Sequence, residues 1–224
     1  MNLDEKLKKR QRLEMSYYPT EYIIRVLFLQ KYILIPVAKT GLTPNQVTLM
    51  SLFLIIISFI AIYNHFAVLA GILYLIYCIL DCLDGMIARF KDLRSQFGSY
   101  LDKVVDHIGF NGVFIISYIA SYISFFECIL VIICMNLHRT ICPHYILKNL
   151  KKVKNIKRFG IKKYCLDRGF LLGVDATLLV ILISIGLIFN ILSFICYLLS
   201  FLYLFDLVYR FFELKYNLKH NEIQ

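Results

Sequence analysis

Apolar positions in this 224-residue chain fall in long runs, with neither the alternation of a half-buried strand nor the one-sided stripe of a soluble helix. About 20 mostly apolar residues carry a helix across the hydrocarbon core of a bilayer. Six runs predict such helices: Val47–Tyr63, Phe66–Phe90, Gln96–Ile123, Phe125–Leu147, Gly169–Asn190 and Ile191–Phe212. The connectors between them alternate in composition. Asn64-His65, the Ser121–Phe125 turn and the turn at Asn190-Ile191 carry no Lys or Arg. The first 46 residues carry eight basic side chains, the Arg89–Lys103 stretch four and the Arg139–Arg168 stretch ten; Arg210, Lys215 and Lys219 complete the 25. Basic connectors stay in the cytoplasm, so six spans with both termini cytoplasmic are expected.

Composition agrees with that reading. The chain is 59% hydrophobic and 18% charged, with a net charge of +10. A disordered chain lacks apolar residues to bury. A nucleic-acid-binding domain would account for the charge but not the hydropathy, so no nucleic-acid partner is expected. An all-α integral membrane protein accounts for both. Residues 1–46 read as a cytoplasmic arm and an amphipathic interfacial helix, 47–212 as the membrane domain and 213–224 as a cytoplasmic tail. The stretch Tyr22–Ala38 is moderately apolar but broken by Arg25, Gln30, Lys31 and Pro36, so it suits the interface better than a span. It does not read as a signal peptide, whose apolar run would follow directly on the charged start. The seven cysteines show no metal-site spacing; Cys78 and Cys82, four apart, read as packing residues.

Carboxylates inside the second and third runs need a reason, because a central Asp costs roughly 2.5–3.5 kcal/mol on insertion scales. Asp81 and Asp84 are three apart, with Ala88 a turn further along, and share one helix face. Gly98, Asp102 and Asp106 are four apart and form one stripe on the next helix. With helix ends near Phe90 and Gln96, the rise per residue puts all four carboxylates about 9–15 Å below the cytoplasmic boundary. The short Lys91–Ser95 connection predicts that the two helices are antiparallel neighbours. Gly85 and Gly98 remove side chains where backbones, or a ligand, must come close. Four facing carboxylates need cations, and Mg²⁺ or Mn²⁺, one or two ions, suit an all-oxygen set. Such a centre could hold phosphates while one carboxylate takes a proton from an attacking hydroxyl.

The pattern D-x-x-D-G-x-x-A-R-x8-G-x-x-x-D-x-x-x-D is met without a gap by Asp81, Asp84, Gly85, Ala88, Arg89, Gly98, Asp102 and Asp106. It resembles the signature of the CDP-alcohol phosphotransferases, and the six-span layout extends the resemblance over about residues 20–212. Pro44-Asn45-Gln46-Val47-Thr48 resembles the family's P-N-x-x-T, although Asn45 or Thr43 would serve as a helix cap in any case. Ser95 fits the family's small hydroxyl residue. The resemblance implies that Asp81, Asp84 and Asp102 bind divalent metals, with two ions expected from the carboxylate count, and that Asp106 both touches a metal and acts as general base. It implies a CDP site lined by Asn45, Thr48, Gly85, Ala88, Arg89, Ser95 and Gly98. The acceptor hydroxyl then attacks the phosphorus that bears the lipid or alcohol, and CMP leaves.

The leading expectation is transfer of a phosphatidyl group from CDP-diacylglycerol to glycerol phosphate, inositol phosphate or serine, by a homodimer in a bacterial inner or plasma membrane with its site facing the cytoplasm. The alternative within the class is a soluble CDP-alcohol with a diacylglycerol acceptor. A cation or proton transporter would also carry intramembrane carboxylates, but the two halves do not resemble each other and the carboxylates crowd one membrane face. Arg139 and Arg168 are candidates for holding an acceptor phosphate or carboxylate, against a snorkelling role. The run Lys148–Lys163, with eight basic residues, suits anionic lipid headgroups. Asp206 and Arg210 are spaced for an intrahelical pair, while Asp175 has no partner in sequence. His107 points about 100° away from Asp106, His138 and His144 stay unassigned, and Glu127 marks the outer boundary.

Overall fold

The computed structural model describes residues 17–153, 156–158 and 160–220. The charged arm before Tyr17, Lys154 in the basic run and the last four residues lie outside them. The described chain is helical, without a β-sheet. Helix α1 runs through Pro19–Glu21, the wide-wound turns of Tyr22–Ile33, and Leu34–Lys39. Then follow α2 (Pro44–Tyr63), α3 (Ala67–Phe90) and α4 (Gln96–Ile119). Helix α5 (Phe125–Ile141) continues through the wide turns of Cys142–Leu147 into Lys148–Leu150. A short α6 (Gly160–Leu166), α7 (Ala176–Ile188) and a long α8 (Leu192–His220) complete the chain. Pro36 and Pro143, which have no N–H to donate, lie just after one wide-wound stretch and inside the other.

Local chemistry sets most of the helix ends. Thr43 accepts a bond from Gln46 N at 3.3 Å while the Gln46 side chain accepts from Thr43 N, a capping box with Pro44 at the first helical position. Thr43 is therefore the cap, and Asn45 is left to point elsewhere. Ser124 and Glu127 repeat the device at α5, and the buried Glu127 also accepts from Ser193 of α8. At the other ends His65, Asp92, Ser121 and Asn190 take left-handed backbone angles. The amide that follows each of them bonds back into the closing helix turn, as Phe66 N does to Ala61 O at 2.8 Å. Tight turns of this kind make successive helices reverse direction.

Among the described residues, four helices are long and apolar enough to cross a membrane: α2, α3, α5 with its continuation (Phe125–Leu150), and α8. Two of the six expected spans fall short by that measure. Helix α4 is 24 residues long but carries Asp102, Lys103 and Asp106. Helix α7 has 13 residues, because it starts at Ala176 and not near Gly169. Asp175 supplies the start signal, its Oδ1 accepting from Leu178 N at 3.2 Å and from Thr20 Oγ1 at 2.7 Å.

Helices α3 and α4 are neighbours, as the short connection predicts, but they meet through long side chains and not by close backbone approach. Helix α2 packs against both of them, and the other close pairs are α3 with α7 and α5 with α8. Across the gap α3 meets α4 through tyrosines, with Tyr74 Oη donating to Gly109 O at 3.1 Å. Ile55, Tyr74, Tyr77, Phe110, Phe114 and Tyr203 belong to the main core below that gap. A smaller cluster built on Leu29, Leu34, Val47 and Ile87 fastens α1 to α2 and α3.

Candidate active site

Two adjoining cavities open near the Lys91–Ser95 connection, one between α2, α3 and α4 and the other between α3, α4, α1 and the start of α7. The first, of about 290 Å³, is lined by all seven residues of the expected nucleotide site: Asn45, Thr48, Gly85, Ala88, Arg89, Ser95 and Gly98. The second, of about 380 Å³, is lined by all four aspartates, Asp81, Asp84, Asp102 and Asp106. Asp84, Gly85, Arg89 and Asp102 belong to both walls, so a ligand in one cavity reaches the other directly.

The glycines show which of the two expected close approaches is used. A Cβ on Gly85 would meet only the Arg89 guanidinium, at 3.6 Å, so this glycine leaves open space in the cavity. A Cβ on Gly98 would lie 2.7 Å from Asn45 Oδ1 and 3.0 Å from Ser95 Oγ. Here the missing side chain lets the first turn of α2 approach the first turn of α4. Ser95 caps α4 by accepting from Gly98 N at 2.9 Å, so the amino-terminal ends of α2 and α4 meet at the first cavity.

Each carboxylate has its own surroundings. Thr48 Oγ1 donates to Asp84 Oδ2, which fastens that buried side chain to α2. Tyr77 Oη donates to Asp106 Oδ1 at 3.2 Å, and Arg139 Nη2 stands 3.8 Å from Asp106 Oδ2. Asp81 Oδ1 is enclosed and has no hydrogen-bond partner. A buried carboxylate oxygen without a donor is costly, and a cation relieves that cost. With four oxygen-only ligands around it, the cavity fits a hard divalent ion such as Mg²⁺ or Mn²⁺. The carboxylates surround the space without crowding together. Among the described residues, the group that draws three possible ligand atoms within 4.8 Å of one another is elsewhere: His138, Cys142 and Asp206.

That second group is better explained as a strut. Asp206 Oδ2 takes bonds from His138 Nε2 at 2.7 Å and from Arg210 Nε at 2.5 Å. The guanidinium already neutralises the carboxylate and would repel a metal ion. The expected Asp206–Arg210 pair is present, and His138 joins it to tie α5 to α8.

Among several further residues around the carboxylate cavity, only Asp175 stands out in the sequence, as an acidic residue inside an apolar run. Tyr18, Glu21 and Arg25 of α1, with Asp175 and Thr177 at the start of α7, complete its wall. Arg25 pairs with Glu21, and the strand-like contact of Tyr17 with Gly169 and Leu171 holds α1 to the loop before α7. Tyr77 had a signal available, since it continues the Asp81–Asp84–Ala88 stripe by one turn. Of the two candidate acceptor arginines, Arg139 lies over the Phe110 ring at 4.6 Å and faces Asp106. Arg168 does not reach the site. It is exposed, with its guanidinium 3.5 Å from the Tyr164 ring centroid and a bond to Tyr164 O, because the turn after α6 carries it outward. His107 is likewise outside both cavities and shares a contact with Asn111.

The basic run after α5 is held by α8. Glu213, buried, takes Lys162 at 3.3 Å and Arg158 at 3.7 Å, and Asn217 brackets the Lys157 backbone with bonds of 2.7 and 2.9 Å. Burial, followed by the Arg210 charge, lowers the Lys162 pKa, and Glu213 opposes the shift. Lys148, Lys151, Lys152, Lys157 and Lys163 remain exposed.

The profile of the CDP-alcohol phosphatidyltransferase family matches residues 41–209. An archaetidylinositol phosphate synthase of Pyrococcus horikoshii is 35% identical over 71 residues, which are 32% of this chain and 38% of that protein. An uncharacterized protein of Aquifex aeolicus is 37% identical over 68 residues, 30% of this chain and 35% of its own length. A bifunctional IPC transferase and DIPP synthase of Thermococcus kodakarensis is 42% identical over 64 residues, 29% of this chain and 15% of its own length. The chain thus spans well under half the length of these curated relatives.

Proposed function

The chain belongs to the CDP-alcohol phosphatidyltransferase family, and from that membership we propose that it is a membrane enzyme transferring a phosphatidyl group from CDP-diacylglycerol to a polar alcohol, with release of CMP. The observation that supports this most is the shared wall. A nucleotide-sized cavity and a four-carboxylate cavity have Asp84, Gly85, Arg89 and Asp102 in common. A cytidine diphosphate bound across that wall sets its base and ribose on the Asn45 side and its diphosphate among the aspartates.

In this reading Asp81, Asp84, Asp102 and Asp106 hold two Mg²⁺ or Mn²⁺ ions, which when bound neutralise the diphosphate and the charge that builds on the transferring phosphoryl group. Asp106 accepts the proton of the acceptor hydroxyl as that oxygen attacks the phosphorus bearing the lipid. The bond from that phosphorus to the bridging oxygen breaks, and CMP leaves with the electron pair. Arg139, beside Asp106 and open to solvent on its other side, holds an anionic group of the acceptor. A phosphorylated polyol suits an arginine there, and the name of the Pyrococcus relative puts inositol phosphate first among the acceptors to try.

Helices α4 and α7 complete six spans. Helix α4 links α3 to α5 with reversing turns at both ends, and α7 leads into α8 through the reversing turn at Asn190. The termini and the carboxylate end then face the cytoplasm, α1 lies in the interface with Ile23, Leu27, Phe28 and Tyr32 exposed, the exposed lysines after α5 meet anionic headgroups, and the enzyme works as a homodimer.

The test is CMP release by purified protein in detergent, given CDP-diacylglycerol, Mg²⁺ or Mn²⁺, and each acceptor in turn, beside Asp106→Asn. Release that needs metal, one acceptor and Asp106 is expected. Release with a soluble CDP-alcohol and diacylglycerol instead would reverse the donor assignment, and full activity in Asp106→Asn would remove the base.

A further inference from the structure

Tyr77 sits one turn before Asp81 on α3, and its ring is fully buried. Its hydroxyl reaches across the gap to Asp106 Oδ1 at 3.2 Å because α4 has a glycine at the crossing point. A Cβ on Gly109 would stand 3.2 Å from that hydroxyl and 3.4 Å from the ring carbon bearing it. Tyr74, a turn earlier, packs its ring 5.3 Å from that of Tyr77 and donates to the Gly109 carbonyl at 3.1 Å. The two hydroxyls thus treat α4 differently. Tyr74 holds its backbone, and Tyr77 holds a functional side chain.

The two oxygens of Asp106 are consequently not equivalent. Oδ1 accepts from a neutral, buried donor, while Oδ2 is free of that bond and stands 3.8 Å from Arg139, and the residue as a whole lines the carboxylate cavity. A carboxylate with one oxygen pinned cannot rotate freely, so its other oxygen keeps a constant direction. We propose that Tyr77 is a positioning residue for Asp106, fixing the rotation of its carboxylate so that Oδ2 is presented to the metal and to the acceptor hydroxyl. The catalytic consequence rests on the phosphotransferase reading; the effect on the carboxylate set does not.

Tyr77→Phe keeps the ring and removes only the hydroxyl, and Tyr74→Phe is the matched control whose lost bond goes to backbone. Mn²⁺ binding to each purified protein, read from the electron paramagnetic resonance of free Mn²⁺, is compared with CMP-release kinetics and the thermal midpoint. Removing the outer partner of a metal-binding side chain commonly lowers affinity or activity 10–100-fold. Tyr77→Phe is expected to weaken Mn²⁺ binding about tenfold and to lower kcat by about 10–100-fold, with KM for the donor within about twofold. Tyr74→Phe is expected to keep wild-type Mn²⁺ affinity. Unchanged Mn²⁺ affinity in Tyr77→Phe, or equal losses in both variants, would overturn the proposal, the second by showing that packing alone is at work. If the wild type binds Mn²⁺ but releases no CMP from any donor, the phosphotransferase reading fails, while the Mn²⁺ comparison still decides the role of Tyr77.

Discussion

Gly98→Ala separates folding from ligand binding in this protein. The added methyl would sit 2.7 Å from Asn45 Oδ1 and 3.0 Å from Ser95 Oγ. Both atoms end short side chains, so the protein can yield by rotating them and leave the backbones in place. Alanine gains up to about 1 kcal/mol over glycine in a helix, and a disturbed Ser95 cap loses about the same. Folding is therefore nearly unaffected. Nucleotide binding at the proposed site is expected to suffer, because both displaced groups line that cavity. If each gives the nucleotide one hydrogen bond worth roughly 0.5–1.5 kcal/mol, the loss is about 1–3 kcal/mol, or about 5- to 150-fold in donor KM. The assay is CMP release against donor concentration, with the thermal midpoint measured on the same preparation. A wild-type KM with an unchanged midpoint would refute the assignment of this cavity to the nucleotide. A fall of many degrees would instead show that the α2–α4 approach is rigid and that the compensation argued here is wrong.

Other consequences can be checked separately. Gly71→Ala places a methyl 2.7 Å from Ile188 Cγ1 and 2.9 Å from the Ser184 carbonyl, a backbone atom that cannot rotate away, so a loss of about 1–3 kcal/mol is expected in chemical or thermal unfolding. A midpoint within a degree of wild type would contradict the close packing of α3 on α7. Arg139→Gln is expected to raise acceptor KM tenfold or so while donor KM stays put, since a hydrogen bond to a charged group contributes about 1.5–3 kcal/mol; equal effects on both substrates would move Arg139 out of the acceptor role. Burial lowers the Lys162 pKa, so in the alkaline window closing near 10.5 the unfolded chain binds a proton that the folded one does not. Stability contributed by this group therefore rises with pH there, and the midpoint of wild type should gain on that of Lys162→Gln. Parallel pH curves would refute the burial of that ammonium group.

The candidate site residues were legible because each set lies on one helix or at one helix start. Asp81, Asp84 and Ala88 share a face by helical geometry alone, as do Gly98, Asp102 and Asp106, and the Thr43–Gln46 and Ser95 caps are local hydrogen bonds. Those relations need no tertiary partner, so spacing determines them. Relations across helices depend on side-chain size and on residues far apart in the chain, which no local pattern carries. Spacing predicted α3 and α4 as neighbours, and only the tertiary structure shows that Tyr74 and Tyr77 of α3 hold them apart at the carboxylate cavity. Asp175 looked unpartnered because Thr20 lies 155 positions away, and His138 looked unassigned because Asp206 lies 68 positions away. The same distance hid α1 as a wall of the site and Arg168 as a surface residue. The sequence by itself determined which candidate residues share a helix face and their height along the helices. Packing alone decided how far apart they stand and what else faces them, because bulk and contact across the bundle are properties of neighbours that the chain brings together only on folding.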